Sequence, residues 1–382
     1  MNILVTGARA PISVDIARTL ITSGHQVWLA DTMRFPIGRF CPGIAGYKRI
    51  PSPKFNFFDF TNEIVKICSQ QKIDYIVPTC EEVFWLANVE GLPAHTQLRT
   101  SSFNNLARLH DKHEFALLAD QLGFGVYENM YVDSGETLHV ALAKIADAAE
   151  YVAKPVFSRF ASKTLISPTK DTLGRINPTV LAPWLIQKRA LGTEYCVYCL
   201  AENGELLTYV AYLPKYRLSK HGASVYFEPV TEPGLEEMAK AFIKATHFSG
   251  QISFDVIATE NRYIAIECNP RGTSGAHLLA QTPALYGDAL LGHAPDAQAV
   301  HWEPAMLALP LLLSHPGLLL RAHSRAALSC AYDAMYKAGV PLRLQMPGLI
   351  EMLGVSILDS VGVLQATTAD IEWNGEEILG AA

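Results

Sequence analysis

The chain has 382 residues, 49% of them apolar and 18% charged, enough for more than one buried core and far from the composition of disordered chains. A formal net charge of −6 leaves no basic field to hold nucleic acid or an anionic membrane, so small molecules are the expected partners. The seven cysteines are odd in number and scattered, and Met1 to Gly7 lack the basic start of a secretory signal, so a reducing cytoplasm is expected in place of a disulfide framework.

The start alternates strand and helix. Asn2–Thr6 reads as a buried strand, Pro11–Ser23 as a helix closed by Gly24, and Gln26–Ala30 as a strand reaching Asp31. A helix over 62–71 and a buried strand over 74–78 continue the pattern, which implies a parallel sheet covered by helices and ending between Gly91 and Ser102. The turn after the first strand carries only Gly7, with Pro11 where a dinucleotide fingerprint needs an open approach. A nicotinamide oxidoreductase is therefore the weaker reading. Glu81 and Glu82 follow the 74–78 strand. Either could hold a substrate amine beyond a strand's carboxyl end, but a helix-dipole position explains the acidic pair and is preferred.

A helix is expected over His110–Leu122, stopped by Gly123, with His110 and His113 on its surface. Strands follow at Tyr151–Pro155, Thr164–Ser167, Leu185–Lys188, Glu194–Ala201 and Leu206–Tyr212, the last two joined by Asn203-Gly204 as a hairpin. Cys196 and Cys199 fall within a strand with no second pair, so packing explains them better than metal. Pro214–Ser224 reads as a basic loop placed to cover reacting groups, with Lys215 or Arg217 near them, or as a solvated turn. Leu235–Thr246 is helical, and Gly250–Ala258 and Tyr263–Asn269 form a second hairpin. The apolar stretch 305–320 is interrupted by Pro310, His315 and Pro316, short of the roughly 20 residues a membrane span needs. Ala366–Trp373 alternates as a strand does, its Asp370 and Glu372 without a catalytic role. Trp302, Tyr332 and Tyr336 suit a substrate wall, a homodimer interface or an ordinary core.

The second hairpin carries the chemistry. Strand alternation puts Glu267 and Asn269 on one face, with Ile266 and Cys268 on the other, and pairing brings Asp255 to the same side. Two carboxylates and an amide oxygen are hard ligands suited to Mg²⁺ or Mn²⁺ with phosphates completing the shell. Solvated carboxylates on an open sheet face are the plain alternative. Arg271, Gly272 and Gly275, a cation-bearing turn before a helix, favour the phosphate reading.

This Asp…Glu-x-Asn-x-Arg hairpin resembles the metal site of the ATP-grasp superfamily, and the upstream order agrees. The resemblance implies that Lys112, opening its helix, and Lys154, at a strand end, neutralise ATP phosphates. It implies that Gln187, Lys188 and Ala190 hold adenine at the hinge and Glu194 the ribose. Asp255, Glu267 and Asn269 would hold Mg²⁺, and Arg271 would face the transferring phosphoryl. One departure is plain: the loop after Lys154, 156–163, has no glycine, so Ser158, Ser162, Arg159 or Lys163 would have to serve the phosphates.

The implied fold is α/β: an N-terminal parallel Rossmann-like domain (1–100), then a two-subdomain α+β ATP-grasp fold with small (101–185) and large (186–300) parts. A C-terminal region (301–382) would complete the substrate site or a dimer interface. The implied activity is ATP-dependent, carboxylate–amine, ADP-forming ligation through an acyl phosphate. A thiol or other nucleophile, or an ATP-binding regulatory role, are the alternatives.

Overall fold

The computed structural model describes residues 1–126, 128–159, 163–218, 222–296, 300–320, 327–358 and 362–378. The first sheet holds β1 (Asn2–Thr6), β2 (Gln26–Asp31), β3 (Gly46–Arg49), β4 (Tyr75–Val77) and β5 (Gln97–Leu98), all parallel in the order β3-β2-β1-β4-β5. Ile3, Leu4 and Val5 make the middle of β1 apolar on both faces because helices cover both faces of a parallel sheet. The helix α1 (Pro11–Thr22) starts with proline at its first position, where the missing N–H costs nothing. The helix α2 (Phe57–Gln71) begins five residues before the expected start, because Asn56 caps it through the Asp59 N–H. The chain order reverses between β1 and β4, so the loops holding Arg9 and Glu81 lie side by side at the carboxyl ends of the strands.

A four-stranded sheet follows, built from β6 (Asn129–Val132), β7 (Tyr151–Pro155), β8 (Leu165–Ile166) and β9 (Trp184–Lys188) in the order β6-β9-β7-β8. Its core is Val132, Leu138, Ala153 and Ile186. The largest sheet orders β10 (Thr193–Glu202), β11 (Glu205–Arg217), β12 (Ser224–Val230), β13 (Gly250–Ala258), β14 (Tyr263–Asn269), β15 (Ala305–Met306) and β16 (Tyr332–Asp333) as β14-β13-β10-β11-β12-β15-β16. Asn203 and Gly204 both take left-handed backbone at the β10–β11 turn, as a tight hairpin requires. The helix α3 (Val83–Leu86) follows the Glu81 loop, while α4 (Phe103–His110) and α5 (Lys112–Gln121) pack beside β14.

Four expectations are corrected. The helix over 110–122 is two helices, because Asp111 is extended and caps α5 through the His113 and Glu114 N–H groups. Pro214–Arg217 and Ser224 are not loop but the facing ends of β11 and β12; residues 219–221 lie outside the described part. The segment 366–373 is not a strand: it forms turns, with Ile371 N bonded to Thr368 O and Glu372 N to Thr368 O. Its alternation arises because Ile371 and Trp373 anchor in the core while Asp370 and Glu372 pair with cations. His110 is no surface residue but is buried against Phe84 and Phe157. Trp302 and Tyr332 pack on the core, whereas Tyr336 is 70% exposed. Among the described residues no helix is long and apolar enough to cross a membrane.

Candidate active site

The hairpin β13–β14 pairs Asp255 directly with Glu267, and Ser253 with Asn269. The register shifts between Asp255 and Val256, which pairs with Ala265, so Ile266 faces no partner. Such a bulge re-aims side chains and frees a carbonyl. Ile266 accordingly leaves the core face, which Ala265 and Cys268 take, a correction to strict alternation. The freed Ile266 carbonyl accepts from Lys154 Nζ at 2.7 Å. Lys112 Nζ lies 3.5 Å from Glu267 Oε1. The two lysines and two carboxylates predicted from separate segments therefore meet in one place.

Burial shapes their charges. Asp255 is pushed well above the usual carboxylate range, first by burial and then by the Glu267 charge. The Lys154 ammonium is pushed down to about 8, mainly by burial, against the pull of Glu267. A carboxylate pair held this close, with an amide oxygen two residues on, has the donor set of a hard divalent cation, and the charge of that cation would relieve the repulsion. Among the described residues no group of three His, Cys, Asp or Glu side chains could hold a metal ion; the set here is two carboxylates and one amide oxygen.

The other predicted residues divide. Asn269 Oδ1 accepts from Arg271 at 3.1 Å, and Arg271 Nε donates to Glu81 Oε1 at 2.7 Å. Arg217 is ion-paired with Glu194 and lies close enough to Asp255 to influence its charge. Lys215 is instead paired with Glu228 and half exposed on the sheet, so the structure brings Arg217 to the site and not Lys215. At the hinge Gln187 is buried and donates to Asn129 Oδ1 at 2.6 Å, while Lys188 pairs with Glu150 at 2.6 Å. Ala190 sits in the connection from β9 to β10. Of the loop residues, Ser158 and Arg159 are buried, and Ser162 lies outside the described part.

Glycines 272 and 275, in the turn read as phosphate-facing, have a packing use. A Cβ at Gly272 would lie 2.6 Å from Ile12 Cδ1 and 2.8 Å from Gln251 Oε1; one at Gly275 would lie 2.3 Å from Tyr198 Cβ. They allow the turn to seat on the first sheet's helix and on β10. Glu81 and Glu82 stand at the start of α3, Glu82 as its N-cap residue, and both are buried. Glu81 joins Arg159 and Arg271, and Glu82 accepts from Thr6 Oγ1 at 2.7 Å. Cys196, expected to serve packing, also touches the site: its thiol donates to Asp255 Oδ1 at 3.2 Å. Its alternation with Glu194 on β10 was the available signal. Arg159 was missed as a partner of Glu81, and no local pattern marks a contact between segments so far apart.

No family model matches the chain, and no curated protein does. Solved structures are similar in fold. N5-carboxyaminoimidazole synthetase from Staphylococcus aureus complexed with ADP superposes with TM-score 0.60 at 12% identity, covering 82% of this chain and 86% of that one. Phosphoribosylamine–glycine ligase from Thermotoga maritima gives 0.57 at 13% identity, covering 80% of each. L-amino acid ligase from Bacillus licheniformis gives 0.56 at 12%, covering 76% and 74%. Neighbours of this group are ATP-grasp ligases, and the chain has the ATP-grasp fold.

Proposed function

We propose that the chain is an ATP-dependent ligase that phosphorylates a small carboxylate and passes the acyl group to an amine. The observation that carries this reading is the meeting of Lys112 and Lys154 with the Asp255–Glu267 pair beside a bulge, an arrangement with more charge than packing requires. Residues 1–100 would form the leading domain and 101–188 the small part of the grasp. The small part would thus run three residues past the expected 185, which keeps β9 whole with its partners β6 and β7. Residues 189–300 would form the large part, and 301–382 would close the substrate side.

In this reading Asp255, Glu267 and Asn269 would hold Mg²⁺, which neutralises phosphate charge when bound. Lys112 and Lys154 supply fixed positive charge where the α- and β-phosphates would lie, in a site dry enough to strengthen the attraction. Gln187 to Ala190 would hold adenine, and Glu194 would exchange its bond to Arg217 for the ribose hydroxyls. Arg217 and Arg271 would then face the transferring phosphoryl. A carboxylate oxygen attacks the γ-phosphorus, the bond to the β-bridging oxygen breaks, and ADP leaves. An amine then attacks the acyl carbon and expels inorganic phosphate. The chain's contribution is positioning and charge, with no covalent intermediate on the protein.

ADP release from ATP and Mg²⁺, against a panel of amino acids and small carboxylates singly and in pairs, tests this. Release that needs one carboxylate and one amine is the expected result. Nucleotide binding with no turnover on any pair would instead favour a regulatory ATP-binding role, and release supported by a thiol would change the nucleophile.

A further inference from the structure

The loop after β7 has no glycine, and its stem is fastened to elements remote in sequence. Val156 N donates to Pro183 O at 2.9 Å, and Lys112 Nζ donates to Ser158 O at 2.8 Å. Arg159, only 7% exposed, lies between the Glu81 loop and the segment 372–374. Its Nη2 stands 2.7 Å from Glu81 Oε2 and donates to Trp373 O at 2.5 Å. Its Nη1 donates to Asn374 Oδ1 at 2.8 Å and Glu372 Oε2 at 3.3 Å. Phe157 packs edge-on to Trp373, with ring centroids 5.3 Å apart. Gly375 has φ +90°, and a Cβ there would stand 2.5 Å from Phe157 Cε2, so only glycine lets this backbone close on the ring.

The docking segment is itself held. Lys54 pairs with Glu372 at 3.0 Å, Arg9 with Asp370 at 2.5 Å, and Trp85 Nε1 donates to Ile371 O at 2.8 Å. Beyond Arg159 the contacts continue without a gap, because the other oxygen of Glu81 takes Arg271 and Arg271 takes Asn269. A buried ionic chain is seldom the most stabilising way to fill space; what it supplies is a fixed geometry.

Resting on the ligase reading above, we propose that residues 372–375 form a positioning strap. Through Arg159 and Phe157 the strap holds the stem Phe157–Arg159 in place beside Lys112, and through Glu81 it aims Arg271 at the hairpin. Arg159 is a positioning residue, and the C-terminal segment is part of the nucleotide site without touching it.

The test is calorimetric binding of ATP and of AMP, each with Mg²⁺, to the full chain and to Gly375→Ala, Asn374→Ala, Arg159→Ala and Arg159→Lys. AMP lacks the β- and γ-phosphates that Lys112 and Arg271 would face. ATP affinity is expected to fall about tenfold or more in Gly375→Ala, Asn374→Ala and Arg159→Ala, with AMP affinity unchanged and Arg159→Lys partly restored. Equal losses for both nucleotides would mark a merely structural role and overturn the strap, as would unchanged ATP affinity in Gly375→Ala and Asn374→Ala. Asn374→Ala removes only the acceptor for Arg159 and a donor to Glu372, so it keeps the test standing if Gly375→Ala does not fold. A natural chain that binds neither nucleotide would overturn the ligase reading itself, and the strap with it.

Discussion

Glu267 touches Lys112 and faces Asp255, but little of the core depends on it. Glu267→Ala is therefore expected to abolish nucleotide turnover while the melting temperature, read by circular dichroism, stays close to that of the natural chain. Lys154→Ala removes the buried ammonium and should weaken ATP binding about tenfold in calorimetry; unchanged affinity would remove Lys154 from the phosphate site. Glu81 carries a pH signature. Burial opposes its ionisation, but Arg159 and Arg271 outweigh that and hold the carboxyl down at about 2, against an ordinary 4.5. A carboxylate depressed by folding stabilises the fold above its unfolded value, and that stability is lost as pH falls through the folded value. Urea midpoints should thus decline from pH 4.5 toward pH 2, and Glu81→Gln should show a lower midpoint at neutral pH with a shallower acid decline. An equally steep decline in Glu81→Gln would place the acid sensitivity elsewhere.

At the scale of elements, the hairpin and the turn that follows it fix the site together. β13 and β14 match the boundaries read from alternation, Gly250–Ala258 and Tyr263–Asn269, because turn residues and one apolar face mark both strands. The bulge was not legible, since one unpaired residue leaves the composition of a strand unchanged. The packing duty of the turn was not legible either: its glycines seat it closely against α1 and β10. Gly272→Ala should accordingly overpack the contact with Ile12, Gln251 and the Thr79 carbonyl, which a Cβ would approach to 3.0 Å. A loss of ~1–3 kcal/mol in urea unfolding is expected. A neutral substitution would show that the turn can shift.

Across the whole molecule, the C-terminal segment ties the first sheet to the small sheet of the grasp. Trp373 stacks on Phe84 at 5.3 Å and meets Phe103 edge-on at 5.2 Å, with its indole N–H bonded to Glu376 O at 2.7 Å. Trp373→Ala removes the anchor of the segment and is expected to cost ~3–5 kcal/mol, measured by denaturant unfolding. A much smaller loss would mean the ionic contacts hold the segment alone.

The sequence by itself determined the parallel leading sheet, the order of the lysines, hinge and hairpin, and the face on which the two carboxylates stand. Each of these depends on periodicity or on residues near one another in the chain, where hydrogen bonding and side-chain alternation act locally. Only the tertiary structure decided that Lys154 meets the Ile266 carbonyl, that Lys215 turns away, and that Arg159 joins Glu81 to Glu372. Those contacts pair buried charges from distant segments, and a buried charge finds its partner through the packing of whole elements, which no local pattern records.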